Sequence, residues 1–394
     1  MSSVATGLDR LNADGFSALR GRRVGLVCHP ASVDRDLVHI TQRCRQHGVQ
    51  VIRCFGPEHG IWADAQDMIT VDDADRREPV TGAPVRSLYG TDEVSLSPRA
   101  ADLSDLDVLL IDLQDIGSRY YTYIYTAALC VRAATQAGIE AWVLDRPNPL
   151  GGLTVEGGLT GETFLSFVGL WPLPTRHGLT IGEVVQLLAE RHGFAGSLEV
   201  VPMTGWQRGQ LFDETGLPWV QPSPNMPTLD TALVYPGMCL VEGTNLSEGR
   251  GTTRPFETVG AAFIDPFELS RVLGERGLPG VQFRPLYFRP TFHKYSGQTI
   301  GGLGLHVTER QLFQPLRVGL HFLDAVRRLY GPALVWREEV YEFVRDRLAI
   351  DLLFGDARGR SVIDAGGDVD GLWREWQGEA DAFSPERNRS LRYA

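Results

Sequence analysis

The segment DVLLIDLQD (107–115) constrains the fold more than any other part of the chain. An apolar run without polar interruption must be buried on both faces. A strand achieves that in a parallel sheet covered by helices on each side. The same form recurs in VGLVCHP (24–30), VQVIRCFG (49–56), AWVLDRPNP (141–149) and LEVVPM (198–203). Helical patterns separate these runs at 33–47, at 120–138 and from near Thr180. Strands alternating with helices predict an α/β, doubly wound, mostly parallel sheet.

The last third reads differently. FRPLYFRPTF and GGLGLHVT predict two strands around a KYSG turn within 281–308, and helical patterns follow at 314–330, 336–353 and 371–383. A boundary is expected near residue 255, after the Gly-rich GTNLSEGRGTTRP. That gives a catalytic domain over 1–255 and a smaller α+β domain over 256–394.

At 394 residues and 22% charged side chains the composition is that of a globular protein. The net charge of −11 argues against general affinity for nucleic acid or anionic membrane, which both need basic surface. The five cysteines have no metal-ligand spacing and read as reduced thiols. No apolar signal region opens the sequence and no run reaches the roughly 18 apolar residues of a membrane span, so a cytoplasmic location is expected.

Ligands of parallel α/β sheets bind at the carboxyl ends of the strands. Here those ends carry Glu58-His59, then Asp112, Gln114 and Asp115 followed by Arg119 and YYTYIY (120–125), then Asp145-Arg146-Pro147-Asn148. Each also has a plainer use. Glu58 can cap a helix starting near Trp62, and Asp112 and Asp115 can bind backbone N–H groups. Tyr121 and Tyr125 share a helix face and can simply pack. DRPNP can be a rigid turn. There is no GxGxxG after the first strand, no P-loop, no GxSxG and no HExxH, so nucleotide, serine-esterase and zinc-protease chemistry find no motif. Carboxylates, aromatic rings, Asn and Arg at strand ends suit a sugar.

Long motifs in one order support that reading. GLVCHPASV (25–33), FGPEHGIW (55–62), DLQDIGSRYYTYIYT (112–126), LDRPNPLGG (144–152), RHGLTIGE (176–183), PSPNMPTLDTALVYPG (222–237), EGTNLSEGRGTTRPFE (242–257) and PTFHKYSG (290–297) make the chain similar to the NamZ-type exo-β-N-acetylmuramidases. These glycoside hydrolases remove N-acetylmuramic acid (MurNAc) from the non-reducing end of peptidoglycan fragments. The resemblance implies a Rossmann-like N-terminal domain, a C-terminal domain closing a cleft against it, and no nucleotide or metal cofactor. It also implies that Glu58, in the GPEHG motif, is catalytic.

The expected chemistry follows. Glu58 protonates the leaving oxygen, with its proton affinity raised by burial beside Trp62. A second carboxylate is sought among Asp115, Asp112, Glu156 and Glu242, with Asp115 favoured; attack by the substrate's own acetamido oxygen is the other route. Tyr121 is a candidate for stacking on the sugar, His59 for orienting Glu58 or binding sugar, and Gln114, Asn148, His177, Asn225 and Asn245 for hydroxyl or acetamido contacts. The lactyl carboxylate of MurNAc calls for a cation, and Arg119, Arg146, Arg176, Arg250 and Lys294 are available. Lys294 stands out as the one lysine among 38 basic residues. The expected partner is a small MurNAc-containing glycan. The competing expectation is a sugar-binding protein without catalysis.

Overall fold

The structure, a computed structural model, describes residues 4–66, 69–71 and 76–394. Six parallel strands form the main sheet: β1 (Arg23–Cys28), β2 (Gln50–Gly56), β3 (Val85–Ser87), β4 (Val108–Asp112), β5 (Glu140–Leu144) and β6 (Leu198–Val201). Their order, β3-β2-β1-β4-β5-β6, is that of dinucleotide-binding folds. Every residue of β4 is buried, as its apolar run demands. Alternate side chains feed two cores. Val27, Leu109, Ile111 and Val143 face one, and Leu26, Leu110 and Leu144 face the other.

Register brings the carboxyl ends of three strands to one edge, with Val27 beside Phe55 and Cys28 beside Asp112. Between β1 and β4 the strand order reverses, which is where such sheets usually bind ligand. That crevice is filled here. His29 Nδ1 lies 3.1 Å from the Pro222 carbonyl, while its Nε2 accepts from Gln114 N at 2.9 Å. Burial pushes the imidazole down to about 3, so the ring is neutral, as a ring with one donating and one accepting nitrogen must be.

A second, antiparallel sheet has the order β7-β9-β8, from β7 (Thr258–Ala261), β8 (Val281–Phe288) and β9 (Ile300–Val307). The helix Pro315–Tyr330 packs on the helix Leu229–Met238 with backbones touching. A Cβ on Gly237 would overlap the Pro315 carbonyl oxygen. Among the ties that bind this second half to the first, one is deeply buried and one lies at a strand end. Arg119, fully buried, donates to the carbonyls of Gly158 (2.9 Å), Leu173 (3.2 Å) and, across the molecule, Leu353 (2.5 Å). Beyond the helix Val369–Arg387, Tyr393 Oη donates to Asp145 Oδ2 at the end of β5, at 2.5 Å.

Two sequence expectations give way. Helix 33–47 shrinks to Ile40–Gln46, because Asp34 accepts from the backbone of Asp36 and Val38 and closes a turn instead. The pattern over 336–353 forms helix only at Ala349–Phe354. Upstream of it Tyr341 and Val344 pair in a tight turn.

Candidate active site

Glu58 sits two residues past β2, in a turn closed by Gly60 N donating to the Pro57 carbonyl at 2.9 Å. No helix begins at Trp62, whose ring is exposed beneath Arg76, 5.5 Å from the guanidinium carbon. Glu58 belongs instead to the start of the helix Tyr123–Ala137. Thr122 Oγ1 donates to Glu58 Oε2 at 2.5 Å, and Tyr123 Oη reaches the Glu58 carbonyl at 3.3 Å and that of Pro222 at 2.9 Å. His59 follows with a left-handed φ of 68°, its Nδ1 3.0 Å from the Ala65 carbonyl and its Nε2 3.9 Å from Glu58 Oε1. Nδ1 must therefore carry a proton, which turns Nε2 toward the glutamate.

This carboxylate faces a narrow pocket of about 40 Å³. Tyr120, Tyr121, Tyr123 and Tyr235 wall one part, with Tyr121 edge-on to Tyr123 at 4.8 Å and to Tyr235 at 6.1 Å. Burial raises the Tyr121, Tyr123 and Tyr235 phenols well above their ordinary values, so they remain protonated donors. The PSPNMP loop contributes Ser223, Asn225 and Met226, and Asn225 Nδ2 is held by Gln66 Oε1 at 2.6 Å. The second half supplies Glu242, Arg250, Phe256, Tyr341 and Glu342.

Arg250 is held from two sides. Its Nη2 donates to Glu242 Oε1 at 2.7 Å, and Glu242 Oε2 accepts from Tyr341 Oη at 2.8 Å. Its Nε lies 3.4 Å from Glu248 Oε1, and its guanidinium lies 5.3 Å from the centre of the Phe256 ring. Glu248 is fully buried. Burial alone would raise its proton affinity, but Lys294 Nζ at 3.0 Å, His293 Nδ1 at 2.9 Å and Arg250 outweigh burial and hold the carboxyl far below the usual range.

Of the residues named from sequence, Glu58, His59, Tyr121, Asn225, Glu242 and Arg250 meet in this pocket. The others lie in the framework around it. Asp112 is paired with Arg146 through Nε (2.5 Å) and Nη2 (2.7 Å); burial raises its proton affinity against the pull of Arg146. Asp115 Oδ2 accepts from Gly117 N at 2.7 Å and lies 3.3 Å from His177 Nε2. Gln114 donates to the Asp115 and Pro147 carbonyls. Asn148 braces the next turn through Leu150 N and the Leu179 carbonyl, so close to Gly117 that a Cβ there would overlap its side chain. Arg176 donates to the Leu150 carbonyl, and Asn245 bridges Ala333 and Val335. Glu156 accepts from Leu316 N and Arg317 N at the start of a helix. Lys294 stands behind Arg250.

Sequence reasoning did not single out Thr122, Ser223, Met226, Tyr235, Phe256, Tyr341 or Glu342. The first five lie within motifs quoted above. Tyr341 and Glu342 fall in a stretch whose pattern imitates a helix. Among the described residues no group of three or more His, Cys, Asp or Glu is arranged to hold a metal ion.

Comparison with known proteins agrees with this architecture. Residues 24–230 match the family model for the N-terminal part of exo-β-N-acetylmuramidase NamZ, and residues 233–393 match its C-terminal part. The chain is 41% identical over 391 residues to the peptidoglycan β-N-acetylmuramidase NamZ of Bacillus subtilis, covering 99% of this chain and 91% of that one. Two crystal structures of DUF1343 family proteins from Bacteroides fragilis share the fold. One has a TM-score of 0.87 at 29% identity, covering 100% of both chains. The other has a TM-score of 0.76 at 24% identity, covering 100% of this chain and 99% of that one. The chain belongs to the NamZ exo-β-N-acetylmuramidase family.

Proposed function

We propose that this protein is an exo-acting glycosidase that releases MurNAc from the non-reducing end of peptidoglycan fragments of the MurNAc-GlcNAc type, with Glu58 as the general acid. The observation that carries this reading is the setting of Glu58. It is a buried carboxyl, oriented by Thr122, at the wall of an enclosed pocket rich in tyrosine. Protonating the glycosidic oxygen needs such a group within hydrogen-bond reach. Aromatic rings suit the apolar face of the sugar, and the tyrosine hydroxyls and Asn225 suit its rim. MurNAc carries a lactyl carboxylate that GlcNAc lacks, and Arg250 is the guanidinium lining the pocket. We assign it to that carboxylate.

Glu58→Gln is the test. Release of MurNAc from MurNAc-GlcNAc should fall by about 10²–10⁴-fold, the usual contribution of a positioned acid, while binding heat persists. Full turnover in the variant would remove the assignment. Binding heat without released sugar in the unaltered protein would favour the non-catalytic alternative.

The five cysteines are buried and free, which fits a reducing compartment. No helix among the described residues is long and apolar enough to cross a membrane. We propose a cytoplasmic role in recycling imported wall fragments. Fractionation that finds the native protein outside the cytoplasm would end that proposal.

A further inference from the structure

The turn carrying Glu342 is strained, and the strain has a readable purpose. Tyr341 and Val344 exchange backbone hydrogen bonds of 3.2 and 3.0 Å, leaving Glu342 and Phe343 as the two central residues. Both are left-handed, with φ of 46° and 68°. Asn-Gly pairs adopt this geometry readily, whereas larger L residues are disfavoured there. Such strain persists where surrounding contacts over-determine it, and it gathers at ligand sites. The contacts here come from the other half of the molecule. Tyr89 Oη donates to Glu342 Oε2 at 3.1 Å, and the Tyr89 and Phe343 rings lie 5.5 Å apart.

Glu342 lines the catalytic pocket and also a neighbouring groove, which is bordered by Thr91, Glu93, Val94, Val340 and Arg345. A side chain shared by two cavities marks their junction. In an exo-acting glycosidase the scissile bond must lie at such a junction, with the released sugar inside and the rest of the glycan outside. We infer that this groove is the subsite for the leaving sugar, an uncharged N-acetylhexosamine, and that Glu342 touches substrate where the two sugars join. This inference rests on the muramidase reading above.

The chemistry of the groove fits that occupant. Val94 and Val340 are 76% and 46% exposed and offer apolar surface to a pyranose face, while Thr91 and Arg345 offer donors to its hydroxyl rim. Among the described residues of the groove, Asp92, Glu93 and Glu342 supply three carboxylates against the one guanidinium of Arg345. That balance disfavours an acidic stem peptide.

The test compares two substrates. In MurNAc-GlcNAc the leaving sugar would fill the groove; in MurNAc fluoride the leaving atom cannot reach it. Thr91→Trp and Val340→Trp place bulk at exposed groove positions away from the pocket wall. Each should lower kcat/KM for the disaccharide at least 10-fold and leave the fluoride within about twofold. Arg345→Ala, which removes a donor without adding bulk, should lower the disaccharide rate alone by a smaller factor. Equal losses on both substrates, or no loss on either, would overturn the groove assignment. So would a loss confined to peptide-bearing substrates, which would give the groove to the stem peptide. If the unaltered protein releases MurNAc from neither substrate, the muramidase reading falls instead.

Discussion

Replacing Lys294 by Met tests whether a side chain outside the pocket controls what the pocket binds. Lys294 Nζ lies 3.0 Å from Glu248 Oε2, and Arg250 Nε lies 3.4 Å from Glu248 Oε1. Lys294 offsets the Glu248 charge while Glu242 pairs with Arg250 Nη2 at 2.7 Å, so Lys294 adds one unit of positive charge to this cluster. A lactyl carboxylate on the outer edge of that guanidinium would lie roughly 10 Å from Nζ, from ordinary bond and hydrogen-bond lengths. At an effective dielectric constant of about 20, one unit charge at that distance amounts to ~1.7 kcal/mol. Lys294→Met should therefore raise KM for MurNAc-GlcNAc roughly 15- to 20-fold with kcat little changed. Lys294→Arg should restore most of the affinity. The discriminating substrate is the lactyl amide, which is neutral and should show almost no difference between Lys294 and Met. The variant also leaves buried Glu248 with one cation fewer, so kinetics belong below its unfolding temperature. An unchanged KM in a folded variant, or an equal rise with the amide, would refute the argument.

Two other perturbations probe the framework. Asp115→Asn keeps an acceptor for Gly117 N; kcat should stay within a few-fold, and a fall of 10³ or more would make Asp115 catalytic and the pocket assignment wrong. His29 has a folded pKa near 3 because it is buried, against about 6.5 in the unfolded chain. The unfolded chain therefore takes up that proton first, so stability is complete above about pH 6.5 and declines toward pH 3, by up to about 1.4 kcal/mol per pH unit. Urea midpoints measured from pH 7 to 4 should fall less steeply in His29→Gln, and parallel curves would show that His29 does not contribute.

Five strands of the main sheet were legible as largely apolar runs, clearest in the fully buried β4, whereas the three-residue edge strand β3 carries no such run. Thr180 was legible as a helix start because its side chain and Glu183 satisfy each other's backbone N–H groups. β7 was not, being four residues long beside a Gly-rich loop. At the site, Glu58 and Arg250 could be named because their motifs are distinctive. Arg119 and Arg146 look identical to Arg250 in sequence. What separates them is whether the guanidinium is enclosed by framework carbonyls and a buried Asp or, though paired with Glu242 and Glu248, also borders the pocket, and that is decided by tertiary packing. Glu342 escaped notice because WREEVYEFVRDRL has the apolar spacing of a helix, which the local turn overrides.

The contacts of Arg119 and Tyr393 set limits on how substrate can enter. Swinging the halves apart would strip the Leu353 carbonyl from a buried guanidinium and the Tyr393 hydroxyl from the Asp145 carboxylate, leaving polar groups unmet at several kcal/mol. Releasing the 342–343 turn breaks the Tyr89 hydrogen bond and separates two rings, and it relieves a conformation the backbone disfavours. Fewer and weaker contacts therefore hold the 342–343 turn against the pocket than hold the two halves together.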